Sequence, residues 1–225
     1  MDQVLGEREH WSAFVGEAPH VSSFDGLART SRRLNLNPGD YLVSQGDTAQ
    51  TVFLLIEGTL KTVRYSQNGH EIWLSSFSPY TLIGEMSGLT GAPRSSTVIC
   101  DSPCVVLAVE FSDFEDAILA NPAFALKVSR LLAERVRNTS VQLEELATLQ
   151  TSARLHSELF RIGVQDTRDD ERATITDPPS VSELAVRIHA ARESTSRALS
   201  YLVKRGFLKK RANGVLDVIS PKGLD

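Results

Sequence analysis

A short stretch near the middle of the chain carries the residue types that bind a small anion. Gly84 and Glu85 follow an apolar pair, and a loop with glycine and proline then leads to Arg94 and Ser95. Glycines let backbone N–H groups approach an anion, arginine adds a planar cationic donor, and serine adds a hydroxyl. Glu85 suits a sugar hydroxyl better than a phosphate. On chemistry alone, a surface turn with a solvated arginine stays open as the alternative.

The order of these residues is similar to that of a known motif. Gly84-Glu85-Met86-Ser87 followed by Pro93-Arg94-Ser95-Ser96 resembles the phosphate-binding cassette of cyclic-nucleotide-binding domains. The resemblance implies that the Gly-Glu pair meets the ribose and the cyclic phosphate, and that the Arg-Ser pair holds the phosphate. It also implies that two residues of the preceding strand line the ligand cavity. The implied ligand site therefore consists of Leu74, Ser75, Gly84, Glu85, Met86, Arg94 and Ser95.

The composition bounds the class of protein. With 225 residues, 41% of them hydrophobic and 23% charged, the chain can bury a core as one large domain or two modest ones. No apolar run approaches the length that spans a bilayer, and Met1 to His10 lacks a signal-peptide core, so we expect a cytoplasmic protein without a membrane partner. Cys100 and Cys104 are too few for a disulfide scaffold or an iron–sulfur cluster.

The first half of the chain changes from helical to strand-like spacing. Residues 1 to about 30 predict one or two short helices. From Leu34 to Phe111, short apolar runs alternate with glycine turns, which predicts a β-sandwich or roll, and Asn68-Gly69 predicts a hairpin. The turns resemble those of the cyclic-nucleotide-binding β-roll over roughly Leu34 to Glu110. The predicted strands include Tyr41–Val43, Thr51–Ile56, Thr59–Tyr65, Glu71–Phe77, Thr97–Cys100 and Val105–Val109.

From Pro122 to about Gly163 the apolar period is helical. Thr139 is a polar residue within a largely apolar heptad stripe, and Ser140 lies beside it, so one hydroxyl can serve each of two subunits. The stripe predicts a parallel coiled-coil homodimer, with a helix buried on its own domain as the alternative. The stripe consists of Leu132, Val136, Thr139, Leu143, Leu146, Gln150 and Ala153.

The C-terminal quarter is basic, whereas the rest of the chain is acidic. From Ser180 to Asp225, nine Lys or Arg stand against four Asp or Glu, a charge of +5, and the remainder carries −9. This asymmetry favours a polyanionic partner, with a solvated basic face as the alternative.

Two helix signals lie in this basic quarter. Ser180 and Glu183 form a capping box, so one helix begins there, and a second helix begins near Ala191 after a tight turn. Gly206 ends the second helix, and Phe207-Leu208 and Val215 to Ile219 predict a small β-wing. The pattern predicts a winged helix-turn-helix. Its predicted DNA contacts are Ser180, Arg192, Glu193, Ser194 and Arg197.

Taken together, roughly residues 34 to 219 resemble the cyclic AMP receptor and fumarate–nitrate regulator superfamily, most of all its cyclic AMP receptor proteins. The resemblance implies an α+β fold with a jelly-roll-like β-roll at 1–121, a dimerisation helix and hinge at 122–163, and a winged helix-turn-helix at 164–225. In the cyclic AMP receptor proteins a Thr-Ser pair on the long helix contacts adenine, which implies the same for Thr139 and Ser140.

The resemblance implies an allosteric, homodimeric transcription regulator. We expect cyclic AMP as effector, a palindromic TGTGA-like site in double-stranded DNA, RNA polymerase as a further partner, and neither a catalytic site nor a metal. Cyclic GMP, another effector or none are the open alternatives. One departure is His189, which stands where the family often has a turn glycine, so we expect a distorted turn or a left-handed histidine.

Two other classes of protein are disfavoured by the histidines. They are scattered, and none has metal-ligand spacing with Cys or carboxylates, so an enzyme is disfavoured. A haem-sensing relative would have to find its axial ligands among His70 and the two cysteines.

Overall fold

The computed structural model describes residues 2–16, 24–48, 50–66, 68–69, 71–163, 172–211 and 214–219. The chain divides into two compact units, Met1–Arg135 and Val136–Asp225. Across these described ranges, no helix has the length and apolar character needed to cross a membrane. His70, the candidate haem ligand, lies outside them.

The first unit is a β-roll flanked by helices, as predicted. Its eight strands form two four-stranded antiparallel sheets in the orders β1-β8-β3-β6 and β2-β7-β4-β5. The elements are α1 (Asp2–Val15), α2 (Asp25–Thr30), β1 (Arg32–Leu36), β2 (Tyr41–Val43), β3 (Thr51–Glu57), β4 (Leu60–Tyr65), β5 (Glu71–Phe77), β6 (Leu82–Ile83), α3 (Glu85–Thr90), β7 (Thr97–Cys100), β8 (Cys104–Glu110), α4 (Phe111–Ala120) and the first part of α5 (Pro122–Thr148).

Strand β3 explains why the roll has two cores. Its interior residues are buried on both faces, which is why the sequence reads as an unbroken apolar run rather than an alternation. Val52 and Leu54 face the helices, whereas Phe53 and Leu55 face the second sheet. The sheet that carries β3 is therefore a middle layer between the helices and the other sheet.

Phe124, on the first turn of α5, is the centre of the helical layer. Its ring is fully buried and meets four other aromatic rings edge-on, with centroid distances of 5.4 to 6.1 Å. Edge-to-face pairs add to the free energy of burial. The start of α5 is thereby anchored to the first unit. The four partner rings are those of Trp11, Phe14, Phe24 and Phe114.

The second unit is a winged helix-turn-helix, as predicted. Its wing is a three-stranded antiparallel sheet in the order β10-β11-β9. Strand β9 begins at Arg172, and residues 164–171 lie outside the described ranges. The elements after α5 are α6 (Thr151–Gly163), β9 (Arg172–Ile175), α7 (Val181–Arg187), α8 (Arg192–Lys204), β10 (Leu208–Lys210) and β11 (Leu216–Ile219).

The predicted heptad stripe is wrong beyond Leu146. Helix α5 ends at Thr148, so Gln150 lies between two helices and Ala153 belongs to α6. The buried apolar residues of α6 are Leu155 and Leu159, which are off the heptad positions and pack in the core of the second unit. Because α6 has an apolar face of its own, the stripe cannot continue along it.

Candidate functional site

Gly84 is the first residue of the proposed phosphate-binding cassette, at a position where only glycine fits. It has a φ of +88° and caps the N-terminus of α3. A Cβ built on it would lie 2.3 Å from Arg94 Nη1 and 2.9 Å from the carbonyl oxygen of Thr51. Both the positive φ and the close approach of the guanidinium therefore require glycine at this position.

Arg94 makes hydrogen bonds to the backbone through both its main chain and its guanidinium. Its N–H donates to the carbonyl of Asp47 at 2.8 Å, and its own carbonyl accepts from Gly46 at 2.9 Å. Its guanidinium donates through Nη1 to the carbonyl of Gly84 at 2.8 Å and through Nη2 to that of Thr51. The side chain is thus oriented by bonds within the protein itself.

The charge of Arg94 is buried and has no salt bridge among the residues that the structure describes. The residue is 4% exposed, and its Nε has no hydrogen-bond partner among the described atoms. Burial lowers the pKa of Arg94, and the nearby carboxylates Glu85 and Asp47 counteract that shift in part. A buried cation with a spare donor is suited to a small anion that brings the missing charge.

Glu85 is anchored by a residue that sequence reasoning missed. Its Oε1 accepts from Arg135 Nη1 in a short contact, while Arg135 Nη2 donates to the carbonyl of Leu82. The Arg135 guanidinium also lies 5.0 Å from the centre of the Phe77 ring. Fifty positions separate Arg135 from Glu85 in the sequence, and only its place on the predicted long helix, one turn before Thr139, could have pointed to it.

The second carboxylate oxygen of Glu85, Oε2, is buried but lacks the partner that Oε1 has. The residue is fully buried, and Oε2 has no hydrogen-bond partner among the described atoms. Burial raises the pKa of Glu85, and the charge of Arg135 lowers it in part. Such an unpartnered carboxylate oxygen can accept a hydrogen bond from a hydroxyl group.

The other predicted ligand residues surround this pair less tightly. Leu74 and Ser75 are half-buried on β5, and the register shifts opposite them at Thr62/Val63, so Leu74 is an extra residue in that strand. Met86, on α3, is 47% exposed. Ser95 is exposed next to buried Arg94. The structure brings Gly84, Glu85 and Arg94 together, with the other four residues nearby in the chain.

Thr139 and Ser140 lie on α5 within the second unit. Both are exposed, and Ser140 Oγ donates to the carbonyl of Val136 at 2.9 Å. Three apolar residues of the predicted stripe are also exposed on this helix: Val136 at 68%, Leu143 at 67% and Leu146 at 40%.

The turn between α7 and α8 is tight and well bonded. The predicted capping box is confirmed, because Ser180 Oγ accepts from the Glu183 N–H at 3.2 Å and Glu183 Oε2 accepts from the Ser180 N–H at 2.9 Å. His189 has a φ of +51°, so the left-handed alternative was right. The Ala190 N–H donates to the carbonyl of Ala185 at 2.9 Å and closes the turn.

Helix α8 has one buried and one exposed face. Thr195, Ala198 and Leu202 are buried at helical spacing. Of the predicted base contacts, Arg192, Glu193 and Arg197 are exposed, whereas Ser194 is half-buried and accepts from Arg197 Nη2 at 3.1 Å. Ser180 is exposed, and its side chain is engaged in the cap. Lys209 and Lys210 of the wing add exposed positive charge, whereas the exposed Arg211 is paired with Asp217 through two hydrogen bonds of 2.7 and 2.8 Å.

Two other observations bound the chemistry. The two cysteines are buried thiols, and burial together with the neighbouring Cys104 raises the pKa of Cys100 to about 12. Within the part of the chain that the structure describes, no group of three or more His, Cys, Asp or Glu side chains could hold a metal ion.

Two family models match the chain. The model of the cyclic nucleotide-binding domain matches residues 33–121, and the model of the Crp-like helix-turn-helix domain matches residues 153–225.

Relatives extend the likeness over most of the length. The CRP-like cAMP-activated global transcriptional regulator of Mycobacterium tuberculosis is 23% identical over 217 residues, 96% of this chain and 95% of the relative. The cAMP-activated global transcriptional regulator CRP of Pasteurella multocida is 28% identical over 167 residues, 72% of this chain and 78% of the relative. A solved structure, the c-di-GMP-responsive global regulator CLP of Xanthomonas campestris, shares the fold with a TM-score of 0.72 at 18% identity, covering 88% of this chain and 98% of that one.

Proposed function

Because the chain belongs to the cyclic AMP receptor and fumarate–nitrate regulator family of transcription regulators, we propose that it is a homodimer that binds a palindromic DNA site in response to cyclic AMP. One of its two family domains would bind the nucleotide and the other the DNA, and nucleotide binding would change the affinity for DNA.

Buried Arg94 is the observation that carries the choice of ligand. Its charge lacks a carboxylate at ion-pair distance among the described residues, and its Nε lacks an acceptor. A cyclic phosphodiester supplies one negative charge and acceptor oxygens, and its ribose supplies a hydroxyl for Glu85 Oε2. The site therefore fits a cyclic mononucleotide, with Gly84 allowing the close approach and Ser95 adding a hydroxyl.

The effector is distinguished by its base and by its number of phosphates. One buried arginine matches one phosphate, which favours a mononucleotide over a dinucleotide such as the c-di-GMP named for the Xanthomonas regulator. Both relatives compared by sequence are named as cAMP-activated. Thr139 and Ser140 offer hydroxyls for adenine, with cyclic GMP as the second candidate because a hydroxyl can donate or accept.

The exposed apolar residues of α5 support the proposed dimer. Val136, Leu143 and Leu146 present apolar surface at heptad spacing on an exposed helix, which a second copy of α5 would cover. Leu143→Glu should give a monomer in sedimentation, since it places a charge in the seam. Leu119→Glu on α4, a residue that is 78% exposed, is the matched control and should stay dimeric. A stable Leu143→Glu dimer would place the interface elsewhere.

DNA binding follows from α8 and the wing. Arginine can bond guanine O6 and N7 together, and glutamate can accept from cytosine N4, so Arg192, Glu193 and Arg197 can read a TGTGA-like half-site. A two-fold dimer reads an inverted repeat with half-sites about one helical turn apart. We propose that this occurs in the cytoplasm and that RNA polymerase is the partner that responds.

Two measurements test the proposed function. Calorimetry should find cyclic AMP binding more tightly than cyclic GMP or c-di-GMP. Selection from random DNA should then return a TGTGA-like palindrome, more tightly with cyclic AMP present. A dinucleotide as the tightest ligand would overturn the effector, and an unrelated selected motif would overturn the side-chain assignment. An absence of any DNA preference would overturn the regulator.

A further inference from the structure

A chain of alternating charges runs through the second unit outside both proposed binding sites. Arg161, in the last turn of α6, donates through Nη2 to both carboxylate oxygens of Glu145 at 3.0 Å. Through Nη1 it donates to Glu158 Oε2, and Glu158 Oε1 accepts from Arg187 Nη1 at 3.5 Å. We call Glu145, Arg161, Glu158 and Arg187 the charge chain.

The charge chain joins three helices at informative positions. Glu145 lies in the last turn of α5, six and five residues after the predicted adenine contacts Thr139 and Ser140. Arg187 is the last residue of α7, directly before the turn in which His189 is left-handed. A displacement of the end of α5 is therefore linked through α6 to the helix that positions α8.

Three of the four charges of the charge chain are shielded from solvent. The Glu158 side chain is only 5% exposed, and those of Arg187 and Glu145 are 17% and 20% exposed, whereas that of Arg161, which bonds both glutamates, is 43% exposed. The four residues also line a cavity of about 30 Å³, which is large enough to hold a water molecule. Glu158, Arg187 and Glu145 are therefore weakly screened, whereas solvent screens Arg161 in part, and removing a partner of Glu158 leaves an uncompensated buried charge.

We propose that the charge chain positions the DNA-reading motif relative to the end of α5 and transmits the response to the nucleotide. This inference rests on the proposed function, since it names how that function is regulated. Its four members are positioning residues, because they bond to one another between α5, α6 and α7 and are not among the proposed base or nucleotide contacts. A purely structural role would stabilise α6 without altering the response.

A double-mutant cycle on the two ends of the charge chain tests the proposal. The full chain and its Glu145→Gln, Arg187→Gln and doubly substituted variants are titrated with the selected DNA, with and without cyclic AMP. We expect each single change to alter the ratio of the two DNA dissociation constants by about two- to thirtyfold. The double variant should go no further than the larger single change, because residues in one network are not independent. Effects that multiply in the double variant, or an unchanged ratio, would overturn the proposal.

Glu144 provides the matched control. It is the exposed neighbour of Glu145, and its carboxylate makes no ion pair among the described residues. Glu144→Gln should leave the ratio unchanged, alone and combined with Arg187→Gln. Circular dichroism checks that every variant is folded.

Hydrogen exchange separates failure of this proposal from failure of the proposed function. If the unmodified chain binds no DNA or ignores cyclic AMP, the proposed function is wrong, and the charge chain is then tested on the free protein. Glu145→Gln should speed amide exchange in α7, whereas Glu144→Gln should not. Unchanged exchange in α7 would overturn the charge chain as a link.

Discussion

The two units hold their key arginines in opposite ways. Arg94 in the first unit is 4% exposed, and carbonyl groups of the protein orient its guanidinium. Arg192 and Arg197 in the second unit are exposed on one face of α8. Arg94 loses its water shell when the chain folds, whereas Arg192 and Arg197 lose theirs only when they bind DNA. The free energy of dehydration therefore enters folding for Arg94 and binding for the other two arginines.

This difference matches two kinds of partner. A small anion of fixed shape gains affinity from a rigid, dehydrated guanidinium, because little further ordering is required. A DNA surface is long, hydrated and variable, so solvated cations can steer association and then select among bases. The contrast predicts that substitutions in the first unit abolish binding of one ligand, while those in the second redistribute preference among many sequences.

The largest expected effect is at Arg94. Arg94→Leu should weaken cyclic AMP binding about tenfold or more, because charge-assisted hydrogen bonds contribute about 1.5–3 kcal/mol. Calorimetry measures the loss, and circular dichroism should show an unchanged fold. The control is Arg64→Leu, an exposed arginine on β4 of the same unit, which should bind normally. Equal affinity for Arg94→Leu would mean that the cassette is only a turn.

The next effect concerns the exposed arginines. Arg192→Ala should cost about 1–3 kcal/mol on the selected palindrome and relax the choice of one guanine. Lys204→Ala, at the other end of the same helix, should weaken all sequences alike if it meets phosphate. Binding to a panel of single-base variants separates the two patterns. A uniform loss for Arg192→Ala would remove its role in reading bases.

Lowering the pH should stabilise the first unit and destabilise the second. Burial raises the pKa of Glu85 and of Glu7, so the folded first unit binds more protons there and gains stability as pH falls through those raised values. Burial lowers the pKa of His156 and of His189, so the second unit loses stability as pH falls below their usual value of 6.5.

Fluorescence can separate these opposite responses. Both tryptophans, Trp11 and Trp73, lie in the first unit, so their fluorescence reports that unit while circular dichroism reports both. When the pH is lowered from about 7.5 to about 5.5, the thermal unfolding of the second unit, which circular dichroism detects and tryptophan fluorescence does not, should move to lower temperature. His156→Gln should flatten that shift. Movement of both transitions in the same direction would contradict the assignment.

The smallest effect is expected for the hydroxyls of α5. Thr139→Ala and Ser140→Ala should each weaken cyclic AMP binding, or uncouple it from DNA binding, by about the 0.5–1.5 kcal/mol of one neutral hydrogen bond. Sedimentation should show that the dimer persists, since a hydroxyl is a small part of the seam. Loss of the dimer in either variant would give these residues a packing role instead.

Local patterns made much of this structure predictable. The capping box at Ser180, the left-handed option at His189 and the glycine of the cassette each depend on a few neighbouring residues, and each is where the sequence placed it. The resemblance to the superfamily then supplied their order along the chain.

Contacts between distant residues were not predictable. The anchoring of Glu85 by Arg135 and the bond from Arg94 to the Thr51 carbonyl join residues 50 and 43 positions apart. The end of α5 at Thr148 was missed for a related reason, since only packing of Leu155 and Leu159 in another core breaks the helical period there. Such features depend on which surfaces meet, and periodicity within one segment does not report that.

The ring cluster around Phe124 determines how the protein can be divided for experiments. The match to the ligand-binding family model ends at residue 121, three positions before this ring. A fragment cut at that point would expose the four aromatic side chains that Phe124 covers, and a large apolar patch of this kind promotes aggregation. An isolated sensory fragment should therefore extend at least through Val128, the next buried residue of α5, and include both N-terminal helices.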